Sequence, residues 1–135
     1  MVRTLAGLLS VLGMVAILSG CMDEAGQDTG PLVLYPGEWN GDDAALQGRL
    51  VLEASCLYID DESDPTRPPR RYLPAFSDDG ASWDPTEQVV KFPGRTLKVG
   101  SVVRVGGSEA GRFSGFSVPP SPECRADGGF WLVGL

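Results

Sequence analysis

The chain has 135 residues, eleven Lys and Arg against eighteen Asp and Glu, a net charge of −7 and no histidine. An acidic body repels phosphate backbones, so no nucleic-acid partner is expected, and neither is membrane docking through a basic patch. The missing imidazole removes the commonest general base, the Ser-His and Cys-His nucleophile pairs, and any zinc or copper site built on histidine.

The first element is a short start with one positive charge, Arg3, followed by the uncharged apolar run Leu5 to Leu18. That run is shorter than the roughly 20 apolar residues a permanent membrane helix needs. A charged start, a short apolar centre and the exit Leu18-Ser19-Gly20-Cys21 describe a secretory signal peptide over residues 1–20. The competing reading is a buried N-terminal helix ending at a chance cysteine. It would place an unbroken apolar stretch directly before Asp23, Glu24 and Asp28.

The Leu18-Ser19-Gly20-Cys21 segment resembles the lipobox of bacterial lipoproteins. The resemblance covers residues 1–21. It implies that the Cys21 sulfur receives a diacylglyceryl group before cleavage and that acyl chains of the palmitate type anchor the mature protein. Two or more chains, at about 0.8 kcal/mol per buried methylene, hold stably where one would not. In enteric members of that family an aspartate after the cysteine retains the protein at the inner membrane. Met22 stands there, so the resemblance implies the outer membrane where the source has one; the rule has no force in single-membrane bacteria. The expected address is lipid-anchored to a bacterial membrane, with the domain outside the cytoplasm.

The mature chain, 21–135, is long enough for one small domain and carries ten Lys and Arg against eighteen Asp and Glu, a net charge of −8. With Cys21 consumed by lipid, Cys56 and Cys124 remain as an even pair in an oxidising compartment. A bridge between them closes a loop of 69 residues, which the chain-entropy account values at about 4 kcal/mol. The alternatives are two buried free thiols or a reactive site.

Residues 21–31 read as a flexible acidic tether, spanning on average about 18 Å, before a small domain over 32–135. Leu32 to Tyr35 reads as a short strand stopped by Pro36-Gly37, and Asp42-Asp43 as the cap of one helical turn through Leu46. From Gly48 the period becomes two. It predicts one long strand with Leu50, Leu52, Ala54, Cys56 and Tyr58 on one face, which places Cys56 in phase with the core leucines. Asp60 to Pro69 is a charged, proline-rich loop, and Arg70 to Phe76 a strand in which Pro74 suggests an edge or bulge. Ser77 to Pro85 reads as another loop. Glu87 to Phe92 and Thr96 to Val99 form a hairpin about Pro93-Gly94. Ser101 to Val105 is a strand left through Gly106-Gly107, Gly111 to Val118 is a further strand, and Phe130 to Leu135, apolar on both faces, is a buried closing strand or a contact surface.

Short strands separated by turn signals predict an all-β domain, a small barrel or sandwich. The stretch Leu97 to Val105 (LKVGSVVRV) resembles strand entry in oligonucleotide/oligosaccharide-binding (OB) barrels, which favours a barrel of five to seven strands with one disulfide. Fold alone does not specify function.

Carboxylates are the remaining chemical resource. Asp60, Asp61, Glu62 and Asp64 share one loop, and Asp78, Asp79 and Asp84 another. Calcium takes six to eight oxygens from such loops, but neither has the alternating spacing of a calcium hand, and Arg67, Arg70 and Arg71 stand close enough to neutralise the first. A carboxylate-pair glycosidase needs a deeper cleft than a domain of this size carries. Among Trp39, Trp83 and Trp131, Trp131 is expected in the core. Trp83, in a loop rich in Asp and Ser, is the candidate ligand contact, with core packing as its alternative.

The sequence thus predicts a membrane-anchored envelope lipoprotein with a small non-catalytic β domain, needing no cofactor, in a binding or accessory role. Its partners are the membrane through Cys21 and an envelope protein or glycan. The alternatives are a calcium- or carboxylate-dependent enzyme, and a structural or inhibitory lipoprotein using Val118 to Cys124 (VPPSPEC) as a rigid loop.

Overall fold

The computed structural model describes residues 29–38 and 44–134. The expected signal peptide, Cys21 and most of the expected tether lie outside the described residues, as do Trp39, Asp42, Asp43 and Leu135. The described chain is all-β, with nine strands: β1 (Val33–Tyr35), β2 (Ala44–Glu53), β3 (Cys56–Asp61), β4 (Arg70–Ser77), β5 (Ser82–Asp84), β6 (Val89–Phe92), β7 (Arg95–Lys98), β8 (Val102–Ala110) and β9 (Phe130–Val133).

Five strands close a barrel in the order β2-β3-β4-β9-β8 and back to β2. Every neighbour pair is antiparallel except β4 and β9, whose parallel register (Leu73 opposite Phe130, Ala75 opposite Leu132) seals the ring. A five-stranded closed barrel is the architecture the OB-like pattern favours. The crossover from β4 to β8 carries a separate three-stranded sheet, β5-β6-β7. Its Val90, Phe92 and Leu97 join the barrel core with Leu50, Ile59, Phe76 and Val105, so the meander closes the barrel interior. Removing each such fully buried side chain from water contributes roughly 1.5–3 kcal/mol.

The alternation in 50–59 has a different cause from the single strand predicted. The chain turns back at Ala54-Ser55, and Leu50 pairs with Ile59, Leu52 with Leu57, and Glu53 with Cys56. Directly opposed residues share a face of a sheet. Leu50, Leu57 and Ile59 therefore point into the barrel, while Cys56 and Tyr58 belong to a separate cluster on the outside, with Leu73. Cys56 is buried there, but not among the core leucines.

Four further expectations are corrected. Ala44 to Leu46 continue β2 instead of forming a helical turn, because pairing with Val105 to Gly107 turns Leu46 into the core. The strand predicted to leave through Gly106-Gly107 runs on to Ala110, since Gly107 lies against the Leu132 carbonyl of β9, where a Cβ would not fit. Gly111 to Val118 forms no strand; its one backbone pairing with a strand is at Leu34, through an isolated bridge to Val118. The Ser77 to Pro85 loop also contains β5. The remaining strands fall where the pattern places them. Pro74 sits in a gap on β4, where pairing with β3 ends at Tyr72 and pairing with β1 begins at Ala75, so its missing N–H leaves no ladder bond unmade.

Candidate functional site

The outer surface of the barrel divides into a covered side and an open side. On the covered side the 111–129 connection folds back over β3 and β4. Cys56 and Cys124 are joined, with Cα atoms 5.5 Å apart. Cys124, Ala126 and Phe130 pack on Tyr58 and Leu73. Further along, Phe113 and Phe116 lie over Val33, Tyr35, Ala75 and Leu132. The Phe113 and Phe116 rings meet edge to face at 4.7 Å, and Phe116 meets Phe130 at 4.9 Å. The backbone N–H groups of Ser117 and Val118 both donate to the Leu34 carbonyl.

Arg71 is the electrostatic centre of this side. Its guanidinium stacks 4.4 Å above the Tyr58 ring, donates to both Asp60 oxygens at 2.7 and 2.9 Å, and donates to both Glu53 oxygens at 2.7 and 3.1 Å. Its backbone N–H donates to Asp127 of the covering loop. The hydrogen bonds from Asp60 and then Glu53 raise the Arg71 pKa well above its usual range, and Arg71 holds Glu53 below the usual carboxylate range. Such a forked, stacked guanidinium fixes geometry in a way lysine would not.

The acidic loop is spent in the same manner. Asp61 accepts the Ser63 N–H, Glu62 stands 3.7 Å from Arg49, and Asp64 pairs with Arg67 at 3.5 Å. Asp64 also accepts the Thr66 hydroxyl and backbone N–H, which hold its pKa down. Among the described residues no three acidic or thiol side chains gather as a cation cage. Asp84 accepts the N–H groups of Thr86 and Glu87, and the Glu87 bond leads in lowering its pKa.

Trp83 sits in β5, half-buried against the core cluster. Its indole lies so close to Gly30 that a Cβ there would collide with the ring. The candidate ligand contact is thus packed where the described chain enters the barrel. Trp131 is buried as expected, its Nε1 donating to the Gly106 carbonyl and its ring edge-on to Tyr72 at 6.0 Å.

The open side is the seam between β2 and β8. Gln47 and Arg49 face solvent from β2, and Val102, paired with Arg49, does so from β8. With Gly48, Glu62 and Ser63 they line a cleft of about 200 Å³. Arg49 Nη1 donates to the Gly100 carbonyl at 2.8 Å, so the guanidinium is held across the cleft wall. Val102 is 55% exposed, the exposed large hydrophobic of the described residues. One exposed valine is ordinary on a protein surface. Here it sits among a carboxamide, a guanidinium, a carboxylate and a hydroxyl, which together offer donors and acceptors around one apolar contact. Sequence reading passed over Gln47, Arg49 and Val102. The available signal was phase: in Ser101 to Val105, Val103 and Val105 point inward, which leaves Val102 on the polar face.

No protein-family model, no curated protein and no solved structure matches the chain.

Proposed function

We propose that this protein is a lipid-anchored envelope lipoprotein whose small β-barrel is a non-catalytic binding or accessory module. It contacts an envelope protein or glycan through the β2–β8 seam. One observation carries this reading: the disulfide Cys56–Cys124 fixes the chain's own loop over the β3–β4 face and leaves the Val102 cleft open. In OB barrels the covered face is the usual ligand surface. A persistent disulfide also fits an oxidising compartment outside the cytoplasm, in keeping with lipid attachment at Cys21.

The test is photo-crosslinking in living cells with a diazirine side chain, which reacts with peptide and sugar alike. The probe is placed at Val102 and, as a control, at exposed Glu87. A discrete adduct at position 102, absent at 87 and lost with Arg49→Ala, is expected. No adduct at 102, or the same adducts at both positions, sinks the reading.

A further inference from the structure

We infer that the face built by residues 29–33 and the 111–121 part of the covering loop lies against the membrane surface, turning the Val102 cleft outward. This rests on the reading of Cys21 as the lipidated residue.

Reach is the first argument. From Cys21 to Thr29 there are eight residues, a reach of at most about 28 Å. A domain of about 100 residues has a radius of gyration of about 13 Å, and so a width beyond 30 Å. The link is therefore shorter than the barrel is wide. The entry side, where Gly30 meets Trp83, is held toward the headgroups, and the opposite wall is held away. In the ring of five strands, β4 lies across from the β2–β8 seam, and β4 is the strand that carries β1 and the loop.

The second argument is what that side presents. Gly30 to Val33 and Val118 to Ser121 line one cleft of about 160 Å³. Phe113 and Phe116 stand half-buried beside it, sharing Val33 as a packing partner or wall. Around this cleft Pro31, Pro119 and Pro120 have no backbone N–H to strand, and those of Ser117 and Val118 are bonded to Leu34. The cleft is too small to shelter acyl chains, so the contact is interfacial.

Charge is the third. The chain as a whole carries −7, but residues 111–129 hold Arg112 and Arg125 against Glu123 and Asp127, a balance of zero. An anionic leaflet repels the acidic remainder of the barrel and tolerates this side.

The experiment uses the full acylated chain, purified from its membranes and placed in vesicles of phosphatidylethanolamine and phosphatidylglycerol. Intact mass establishes the acyl groups, and hydrogen exchange is compared with the same protein in detergent. The expected result is several-fold slower exchange in peptides spanning Gly111 to Ser117, no change at Gln47 or Val102, and loss of the slowing in exposed Arg112→Glu. Acyl groups present with no slowing, or with slowing at the β2–β8 seam, overturn the orientation and leave the anchor standing. A mature chain without acyl mass on Cys21 overturns both.

Discussion

Cys56 and Cys124 join the first residue of β3 to a loop that adds no strand to the barrel, across 68 positions of sequence. Besides the bridge, the described loop is held by the Leu34–Val118 pairing, by Asp127 on the Arg71 N–H, by the Arg125 N–H on the Tyr58 hydroxyl, by the bonds of Gly128 and Gly129 with Arg71 and Leu73 of β4, and by half-buried rings. The covalent link is therefore the strongest single tie on that side of the molecule.

Replacing Cys56 with Ser should lower stability by about 2–4 kcal/mol, as loop-closure entropy returns to the unfolded chain. Chemical denaturation measures the loss. A maleimide should label Cys124 in the variant and leave it unlabelled in the unreduced wild type. Labelling of the unreduced wild type would show that the bridge does not form.

Ala54 occupies the left-handed region, with φ of 53°, at the first central position of the two-residue turn between β2 and β3. That position suits glycine, and an L side chain there costs about 1 kcal/mol. Ala54→Gly should raise the denaturant midpoint by an amount worth roughly 0.5 kcal/mol with the slope unchanged, the gain being trimmed by the freer unfolded chain. A lowered midpoint would refute the strain argument.

Gly107 combines φ of 142° with a β9 carbonyl where a Cβ would stand. Gly107→Ala must push β9 away from β8, so a loss of at least about 2 kcal/mol is expected. Amide exchange should quicken first in Phe130 to Val133. Wild-type stability in this variant would mean the β8–β9 register is wrong.

Glu53, Asp64 and Asp84 all have their pKa values lowered in the folded protein, chiefly by hydrogen bonds from Arg71, Thr66 and Glu87 in turn. The folded state therefore takes up protons less readily than the unfolded one. Their contribution is complete above the ordinary carboxylate values near 4, and is lost as pH falls through the lower folded values. The melting temperature should hold from about pH 7 to 5 and decline below about 4. Asp84→Asn, whose amide oxygen still accepts both N–H groups, should show a shallower acid decline. An identical decline in wild type and variant would remove Asp84 from the account.

The sequence made the strands legible wherever period and punctuation agreed. Pro93-Gly94 marks its hairpin and Phe130 to Val133 its closing strand, because those residue types leave the backbone few alternatives. The turn at Ala54-Ser55 contains no Gly, Pro or Asn. The hairpin moves the inward face from even to odd positions, but Cys56 and Tyr58 on the outside are apolar and buried too and continue the even series, so the phase change passes unseen. Gly106-Gly107 looks like a stop, yet it exists to admit a neighbouring strand, which only the tertiary arrangement reveals. The open cleft was hidden for a related reason: Arg49 and Val102 become neighbours through cross-strand register, and no local pattern encodes that.

The parallel seam between β4 and β9 also sets an order of events. A ribosome delivers β4 long before Phe130 to Val133, so the nascent barrel waits as an open sheet with the Leu73 to Ala75 edge of β4 unpaired. Such an edge is a template for another chain's strand. Pro74, fully buried in the finished barrel, lies in the middle of that waiting segment. Its nitrogen faces the β3 and β1 side, so it gives this edge no protection; the Leu73 N–H, bonded to the Gly129 carbonyl in the finished barrel, stays open to any strand that arrives first. The last strand to be made is thus also the one that takes the chain out of reach of its neighbours.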